Sequence, residues 1–471
     1  METTRTSRFP DSAVLIFAIV VLAQLASYVV PQGEFDRVPV EGSSRTMVEA
    51  GSYHRMAPEE EVTLPPWAAL GALPRGLAAA QEIIFLVFIV GGVIALLRES
   101  GAVDAALHGA VAKLGGAPWI LIGGSLLVFG VGSFTIGFGE EYVPLIPILV
   151  TMALAMKMDA IVAMGMIWVP YGIGWGTAGV NPFGVVIAQG IAGVPITSGL
   201  ATRWVLLALF LAIGFQHVYA YARKIQRDPA ASLVADVDYS TGFDPPEDVK
   251  LTPARIAVLA VFVAGLAIFV VGVKRFGWYI LELDAIFLAI GLAAAVLGRI
   301  APNRTARTFI RGASEMTAAA LLIGFARTIE VVLSDGQIID TIINSIAGLL
   351  QGGGAYVSVV GMLVVQSVCN FFIPSGSGQA YVTMPIMSPL ATLTGVPQQC
   401  AVLAYQFGDG FTNMVVPTNA LVMGTLALGR IPYTRWVRFI MPLLLKLFGL
   451  AIVVLILAVR FGDAWGFNVG G

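Results

Sequence analysis

Long apolar runs alternate with shorter polar segments along most of this chain. A run of about 20 apolar residues is long enough to cross the hydrocarbon core of a bilayer as one helix. Uninterrupted runs predict such helices at residues 13–30, 81–97, 204–221, 256–273, 280–297, 313–333 and 440–459. The first run follows Arg5 and Arg8 but has no small-residue cleavage site, so we interpret it as a retained span rather than a signal peptide. The pattern therefore predicts an all-α polytopic membrane protein.

Two apolar regions are interrupted near their middle by a glycine-rich polar segment. Residues 133–141 read SFTIGFGEE within the region 117–157, and residues 370–379 read NFFIPSGSGQ within the region 355–395. Irregular backbone at membrane depth is tolerated only where it is buried in protein or lines a cavity. We therefore predict two re-entrant helical hairpins whose tips stop inside the bilayer.

Two further apolar regions are too broken to form one regular helix each. Residues 160–190 contain a series of glycines followed by Asn181, and residues 400–428 contain a second break at Thr418 and Asn419. Helices that are interrupted at mid-membrane are typical of secondary transporters, in which the breaks form substrate and ion sites. We interpret both regions as discontinuous helices.

The same order of features occurs twice along the chain. Residues that match at a constant offset of 238 include Pro147 and Pro385, Gly172 and Gly410, and Asn181 and Asn419. Each half runs span, span, hairpin, interrupted span, span, and the count of crossings makes the second half enter from the opposite side. The predicted domains are a first repeat at residues 1–222, a cytoplasmic linker at 223–253, a connecting span at 254–278 and a second, inverted repeat at 279–471.

The distribution of basic residues predicts the orientation. The densest basic cluster contains Arg299, Arg304, Arg307 and Arg311, and short cytoplasmic loops of membrane proteins are enriched in such residues. This rule places the cluster, the linker and the N-terminus in the cytoplasm and the acid-rich loop at residues 31–80 outside. The first hairpin then enters from the cytoplasmic side and the second from the outer side. The expected location is the inner membrane of the cell.

Composition narrows the class of protein further. Of 471 residues, 57% are hydrophobic and 12% are charged, whereas soluble domains have about 25% charged residues. The net charge of -2 gives no reason to expect a nucleic-acid partner. Cys369 and Cys400 fall in apolar segments without metal-ligand spacing, and the three histidines are far apart in sequence. We therefore expect no cofactor.

Several segments resemble the YfcC family, which is related to anaerobic C4-dicarboxylate carriers and to arginine/ornithine antiporters. These segments are FPDSAVLIFAIVVLAQLASYVVPQGEFDR, GFGEEYVPLIPILVTMALAMKMDAIVA, GWGTAGVNPFGVVIAQ, NFFIPSGSGQAYVTMPIMSPLA and GDGFTNMVVPTNALVMG. The resemblance covers nearly the whole chain. It implies an ion-transporter-superfamily fold, with a scaffold and a mobile transport domain that carries the two hairpins, and often a homodimer. It does not specify the substrate, because the group includes dicarboxylate carriers and basic amino-acid antiporters.

Candidate site residues lie at the hairpin tips and the helix breaks. Substrate binding is predicted for Ser133, Gly137, Gly139, Glu140, Glu141, Thr177, Asn181, Asn370, Ser375, Gly376, Ser377, Gln379, Thr418 and Asn419. Glycines at a tip let backbone N–H groups approach an anion, although glycine also makes turns anywhere. Coupling to a proton or a sodium ion is predicted for Glu140, Glu141, Asp409, Asn181 and Asn419, with sodium at the helix breaks.

Several of these residues have alternative roles. Glu140 and Glu141 either take up protons, hold a cationic substrate group, or cap the returning helix, whose N-terminus favours anions. Asp409 either handles a proton or cation or makes a structural hydrogen bond. Arg327 and Glu330, one helical turn apart, either form an intrahelical ion pair or leave Arg327 for a substrate carboxylate. Aromatic side chains, including Trp168, Trp175 and Tyr405, are interpreted as packing residues.

The expected function is secondary active transport of a small carboxylate-bearing metabolite by an antiporter or an ion-coupled symporter. The acid-rich centre with few basic residues favours an amino acid such as arginine or ornithine over the alternative, a C4-dicarboxylate. An intramembrane enzyme is not expected, because no GxGD or HExxH motif is present. A passive channel would more naturally be an oligomer around one axis, so it is a remote alternative.

Overall fold

A computed structural model describes residues 12–39, 46–49, 51–106, 117–196, 198–239, 251–276, 278, 280–348, 354–462 and 464–466. Within this part of the chain, eight helices are long and apolar enough to cross a membrane. These helices are Gln81–Glu99, Pro118–Thr135, Ala160–Thr177, Leu200–Arg227, Ile280–Leu297, Thr317–Asp335, Ala355–Phe372 and Tyr433–Phe461. The protein is an all-α, multi-pass membrane protein, which confirms the prediction from the apolar pattern.

The first half combines spanning helices with a polar loop that contains short strands. Its helices are α1 (Ser12–Ser27), α2 (Ala68–Ala79), α3 (Gln81–Glu99), α4 (Pro118–Thr135), α5 (Ile146–Ala155), α6 (Ala160–Thr177), α7 (Val185–Ile191) and α8 (Leu200–Arg227). The loop strands are β1 (Gly33–Glu34), β2 (Arg37–Pro39), β3 (Thr46–Val48) and β4 (His54–Arg55). Strand β1 pairs antiparallel with β4, and β2 pairs antiparallel with β3. The sequence analysis does not predict these strands.

The second half repeats this order after α9, which occupies the place of the predicted connecting span. The helices are α9 (Pro253–Phe276), α10 (Ile280–Leu297), α11 (Pro302–Glu315), α12 (Thr317–Asp335), α13 (Ile339–Gly348), α14 (Ala355–Phe372), α15 (Gly376–Thr394), α16 (Gln398–Thr412), α17 (Ala420–Leu428) and α18 (Tyr433–Phe461). The predicted span at residues 313–333 begins later than expected, because its first residues belong to the separate amphipathic helix α11.

Corresponding helices of the two halves make reciprocal contacts. Helix α2 packs on α12 while α11 packs on α3, and α1 packs on α12 while α10 packs on α3. The short helices α2 and α11 each contact their partner helix at a glycine. A Cβ atom on Gly76 would lie 2.7 Å from the carbonyl oxygen of Gly324, and a Cβ atom on Gly312 would lie 2.6 Å from the Cβ atom of Ala95. This reciprocity is the packing expected of two related repeats. The internal repeat itself stays a prediction.

The two interrupted helices cross at the centre of the molecule. Of the residues of helix α6, 94% are buried, so protein rather than lipid surrounds this helix. It meets α16 where a Cβ atom on Gly410 would lie 2.7 Å from the Cα atom of Gly176 and 2.8 Å from the carbonyl oxygen of Gly172. Only a residue without a side chain allows the two backbones to approach this closely. The breaks that follow α6 and α16 therefore lie close together.

The first part of the predicted linker has a defined structure. Helix α8 continues to Arg227, and residues 228–239 then form a strap across the end of the bundle. Asp159, which caps the N-terminus of α6, accepts hydrogen bonds from Ser232 (2.6 Å) and Tyr221 (2.8 Å). Asp236 forms an ion pair with Arg435 of α18 at 2.8 Å. The strap therefore joins the first interrupted helix to the last helix, whereas the sequence analysis treats this segment only as a linker.

We predict that Gly410→Ala destabilises the protein. The added Cβ atom would meet backbone atoms of α6, which cannot rotate away, and such overpacking costs about 1–3 kcal/mol. Thermal unfolding of the purified protein in detergent measures the effect as a lower Tm. The matched control is Gly449→Ala in α18, because a Cβ atom at Gly449 has nothing within 4 Å. An unchanged Tm for Gly410→Ala would contradict the close crossing of α6 and α16.

Candidate functional site

An asparagine organises the backbone at each helix break. Asn181 lies between α6 and α7, and its Oδ1 atom accepts a hydrogen bond from the N–H group of Phe183 at 2.8 Å. Asn419 precedes α17, and its Oδ1 atom accepts from the N–H groups of Leu421 (3.0 Å) and Val422 (3.3 Å). Both side chains thus accept from the N–H group two residues later, and in α17 this is an N-terminal cap. The predicted break positions and the structure agree here.

The tip of the first hairpin packs directly on the first break. The Nδ2 atom of Asn181 donates to the carbonyl oxygen of Ser133 at 3.3 Å. Gly137 has a φ angle of +86°, and a Cβ atom there would lie 2.5 Å from the Oδ1 atom of Asn181. Ser133 also donates from Oγ to the carbonyl oxygen of Phe138 at 2.9 Å, which closes the turn. The structure therefore brings together Ser133, Gly137 and Asn181, three of the predicted site residues.

A network of amide groups joins the second hairpin to the second break. The Nδ2 atom of Asn370 donates to the carbonyl oxygen of Asp409 (3.2 Å), the hydroxyl of Thr412 (2.7 Å) and Oδ1 of Asn413 (3.1 Å). Asn413 donates to Oδ1 of Asp409 at 3.0 Å and accepts from Nδ2 of Asn419 at 3.0 Å. Thr412 and Asn413 are not among the predicted site residues, although both belong to the GDGFTN segment.

Asp409 is a buried carboxylate at the meeting point of α16 and the second tip. Its side chain is 2% exposed, and its Oδ2 atom would lie 3.2 Å from a Cβ atom on Gly376. No described lysine, arginine or histidine forms an ion pair with it. A buried anion without a basic partner is costly in free energy. A proton or a small cation that entered the site would therefore stabilise Asp409.

Trp175 connects the two hairpin tips. Its indole Nε1 donates to the carbonyl oxygen of Phe138 in the first tip at 3.1 Å. Its ring also lies 2.6 Å from the position of a Cβ atom on Gly376, the first residue of α15 in the second hairpin. Tyr405 donates to the carbonyl oxygen of Gly376 at 2.6 Å. Trp175 and Tyr405 therefore bond to the hairpin tips, a role that the sequence analysis does not predict when it interprets them as packing residues.

A buried arginine lies at the first break. Arg203, in the first turn of α8, is 0% exposed and donates to the carbonyl oxygen of Ala178 at 3.0 Å and to Oε1 of Gln399 at 3.1 Å. It also donates to Oε1 of Gln406. In the sequence analysis Arg203 lies just before the predicted span at residues 204–221. Ionisable residues at membrane depth are functional candidates. The position of Arg203 next to an apolar run was therefore the signal by which the sequence could have identified it.

The remaining charged candidates have local partners. The carboxylate of Glu141 accepts a hydrogen bond from the N–H group of Gly139 at 2.7 Å, at the start of the 3-10 helix Glu140–Leu145. This bond is local to the tip, and neither the 3-10 helix nor α5 has a side-chain cap, so the alternative roles of Glu141 stay predictions. Arg327 and Glu330 form the intrahelical ion pair, which was the first alternative for these two residues.

Other predicted residues serve the hairpins and helices that contain them. Gln379 donates to the carbonyl oxygen (2.9 Å) and Oε1 (2.7 Å) of Gln366, which links the two arms of the second hairpin. Thr177 donates to the carbonyl oxygen one turn earlier in α6. Ser375 accepts from the N–H group of Gly378 at 3.4 Å, so it caps α15. Ser377 is half-buried and Thr418 is buried, the latter with no hydrogen-bond partner for its hydroxyl among the described residues.

We predict that Asn419→Ala lowers the stability of the protein by about 1–2 kcal/mol, because the N-terminal N–H groups of α17 lose their acceptor. Asn419→Ser is the matched control, since serine supplies a capping oxygen and should recover part of the loss. Thermal unfolding in detergent measures both variants. Equal Tm values for wild type and Asn419→Ala would contradict the capping role.

Comparison with known sequences identifies the relatives of the chain. The family model described as "C4-dicarboxylate anaerobic carrier" (DcuC) matches residues 9–460. The Escherichia coli (strain K12) protein named "Putative basic amino acid antiporter YfcC" is 33% identical, over 98% of this chain and 98% of that protein. An uncharacterized protein of Haemophilus influenzae is 30% identical, over 93% of this chain and 95% of that protein.

Two solved structures resemble the fold at low sequence identity. The Alcanivorax borkumensis YdaH transporter is 17% identical with a TM-score of 0.42, covering 97% of this chain and 100% of that chain. Neisseria gonorrhoeae MtrF, from a class of antimetabolite efflux pumps, is 18% identical with a TM-score of 0.41, covering 96% of this chain and 95% of that chain. The family assignment depends on the sequence matches, which also confirm the resemblance to YfcC. The chain belongs to the C4-dicarboxylate anaerobic carrier family of membrane transporters.

Proposed function

We propose that this protein is a secondary active transporter for a small carboxylate-bearing metabolite, namely an amino acid such as arginine or ornithine. It works by antiport or by symport with a proton or a sodium ion. The observation that supports this proposal most directly is the position of Asp409, buried where α16 meets the second hairpin tip. Substrate and ion sites of secondary transporters lie at such breaks near the bilayer midplane.

The charges at the centre favour a substrate that carries positive charge. Asp409 has only neutral partners in its network, and Glu140 and Glu141 lie at the first tip. A dianion that approached one carboxylate to about 4 Å would meet a repulsion of about 4 kcal/mol at an effective dielectric constant of 20. A basic amino acid would instead place its cationic group near a carboxylate and its own carboxylate near N–H groups of the tips. The name of the relative YfcC, a basic amino acid antiporter, agrees with this choice.

A C4-dicarboxylate carrier is the second candidate function. The family model carries this description, and the buried guanidinium of Arg203 lies at the first break. If the bonds from Arg203 to Gln399 and Gln406 open during transport, the guanidinium would bind a carboxylate in a bidentate manner. A dianion would then need bound cations or protons to offset the negative charge of Asp409.

We further propose that the protein lies in the inner membrane with a cytoplasmic N-terminus. The excess of basic residues in α11 and in the last turns of α8 supports this orientation. The first tip is then reached from the cytoplasm and the second tip from outside, as expected for inverted repeats. A homodimer, which is common in related carriers, is part of the same proposal.

Competition for exchange in proteoliposomes tests the substrate. We expect L-arginine and L-ornithine, loaded on the far side, to accelerate uptake of labelled L-arginine, and succinate and malate to have no effect. The paired variant Glu140→Gln with Glu141→Gln should weaken L-arginine binding by at least one factor of ten, which is about 1.4 kcal/mol. It should not weaken succinate binding. Succinate exchange by the wild type, with L-arginine never exchanged, would instead establish the dicarboxylate carrier.

We predict that Asp409→Asn abolishes gradient-driven accumulation of the substrate. The amide keeps the shape of the carboxylate but cannot bind a coupling proton and binds cations poorly. Accumulation under an imposed proton or sodium gradient measures the effect, with Tm as the test of folding. Asp335→Asn is the matched control, because Asp335 pairs with Arg75 away from the breaks. Normal accumulation by a folded Asp409→Asn variant would show that Asp409 has only a structural role.

A further inference from the structure

Helix α11 lies alongside the last part of α3, near one surface of the bilayer. Its Arg304 forms an ion pair with Glu99, the last residue of α3. A Cβ atom on Gly91 would lie 2.6 Å from the carbonyl oxygen of Gly312. Residues 304–312 and 91–99 cover the same number of positions, so the two helices run antiparallel over about 12 Å. One leaflet of the hydrocarbon core is roughly 15 Å thick, so this part of α11 lies within a single leaflet.

One side of α11 is packed against protein and the other side is exposed. The packed side contains the buried Gly312, whereas Arg307, Ile310 and Arg311 are exposed. The exposed fraction of Ile310 is 63%, and that of Leu321, which follows in α12, is 43%. Large apolar side chains that are exposed on a membrane helix contact the acyl chains of the lipid. The two arginines that flank Ile310 therefore border lipid.

These two arginines have no acidic partner among the described residues. Helix α11 contains three arginines and one acidic residue, Glu315. Glu99 pairs with Arg304, and no described carboxylate forms an ion pair with Arg307 or Arg311. Glu315 follows Arg311 by one helical turn and does not pair with it either. A charge beside acyl chains is costly in free energy unless it reaches polar groups.

The direction of α11 lets both arginines reach the headgroups. The Cα–Cβ bonds of an α-helix tilt toward its N-terminus. The N-terminus of α11 lies at the end of α3, where Arg304 meets Glu99. The long side chains of Arg307 and Arg311 therefore extend toward the bilayer surface, as arginines near helix ends do, while Ile310 stays among the acyl chains. The anionic groups that a bilayer offers at this level are lipid phosphates.

We propose that the exposed side of α11 binds an anionic phospholipid. Arg307 and Arg311 donate hydrogen bonds to its phosphate, which guanidinium groups bind in a bidentate manner, and Ile310 contacts an acyl chain. A soluble anion would make no use of Ile310, and a second copy of the chain docked here about a two-fold axis would bring like charges together. The site does not depend on the proposed substrate or coupling ion. In the proposed orientation it lies in the cytoplasmic leaflet.

A fluorescent label beside these arginines reports which lipid gathers there. Ser314→Cys places a thiol on the exposed side of α11, and the wild type serves as the blank because Cys369 and Cys400 are buried. In nanodiscs of phosphatidylcholine, we expect phosphatidylglycerol with brominated acyl chains to quench a bimane label on this thiol. Half-maximal quenching should need about tenfold less brominated phosphatidylglycerol than brominated phosphatidylcholine, as expected for two arginines near an anionic headgroup.

Two double variants separate this site from a general effect of charge. On the labelled background, Arg307→Gln with Arg311→Gln should make the two brominated lipids quench equally. The matched control is Arg223→Gln with Arg227→Gln, because both residues are exposed in the last turns of another helix, α8. The 28 residues of α8 are about 42 Å long, so this helix extends beyond the hydrocarbon core. The control should keep the preference for phosphatidylglycerol. Equal quenching by both lipids in labelled Ser314→Cys, or the same loss in both double variants, would overturn the site.

Thermal unfolding in detergent distinguishes a lipid from a soluble anion. We expect phosphatidylglycerol to raise the Tm of the wild type, and inorganic phosphate and glycerol 3-phosphate to have no effect. Arg307→Gln with Arg311→Gln should remove the increase, whereas Arg307→Lys with Arg311→Lys keeps both charges and should retain part of it. An equal increase with inorganic phosphate would overturn the lipid assignment. So would a dimer that forms without lipid and dissociates in the glutamine variant, because a second chain would then cover this side of α11.

Discussion

The hydrogen-bonding needs of interrupted backbone are the constraint on which this structure depends. Where a helix stops inside the molecule, its last carbonyl groups lose their intrahelical donors, and lipid offers no replacement. At the first break Arg203 donates to the carbonyl oxygen of Ala178. At the second break Trp436 donates to that of Met414 at 2.8 Å. Both donors belong to the long helix that follows the break, α8 or α18, so each break is closed by a donor from the next long helix.

This constraint also explains why polar chemistry concentrates at the crossing of α6 and α16. The glycines at the crossing bring two breaks side by side, and the N–H groups that begin the next helices need acceptors there. Asn419 caps the start of α17, whereas Asn181 accepts from the N–H group of Phe183, two residues before α7. Their Nδ2 groups bond to Asn413 and to the first hairpin tip, respectively. Asp409 lies within this neutral network. The hydrogen bond from Asn413 positions its carboxylate, and the Oδ1 atom of Asn370 in the same network has no hydrogen-bond partner among the described residues.

The sequence predicts the helix breaks well, because apolar runs, proline and glycine report directly on where a membrane helix can continue, and the re-entrant form of the two hairpins stays a prediction. Asn419 caps α17, a role that asparagine often has at the start of a helix, whereas the sequence analysis assigns Asn419 to substrate and ion binding. The role of Trp175 was not predictable, because its partners lie on two different hairpins and an aromatic residue in an apolar helix has the same appearance when it only packs. The strands β1 to β4 contain two or three residues each, too few for an alternating pattern.

The polar segments outside the apolar runs were the least predictable, and they constrain how the molecule can move. The strap joins Asp159 of α6 to Arg435 of α18. Helices α1, α2, α3, α10, α11 and α12 form a connected set, and α12 also packs on α17 of the second interrupted region. Glu330 of α12 and Phe372 of the second hairpin line one polar cavity. A movement of the hairpin relative to α12 would therefore change the volume of this cavity.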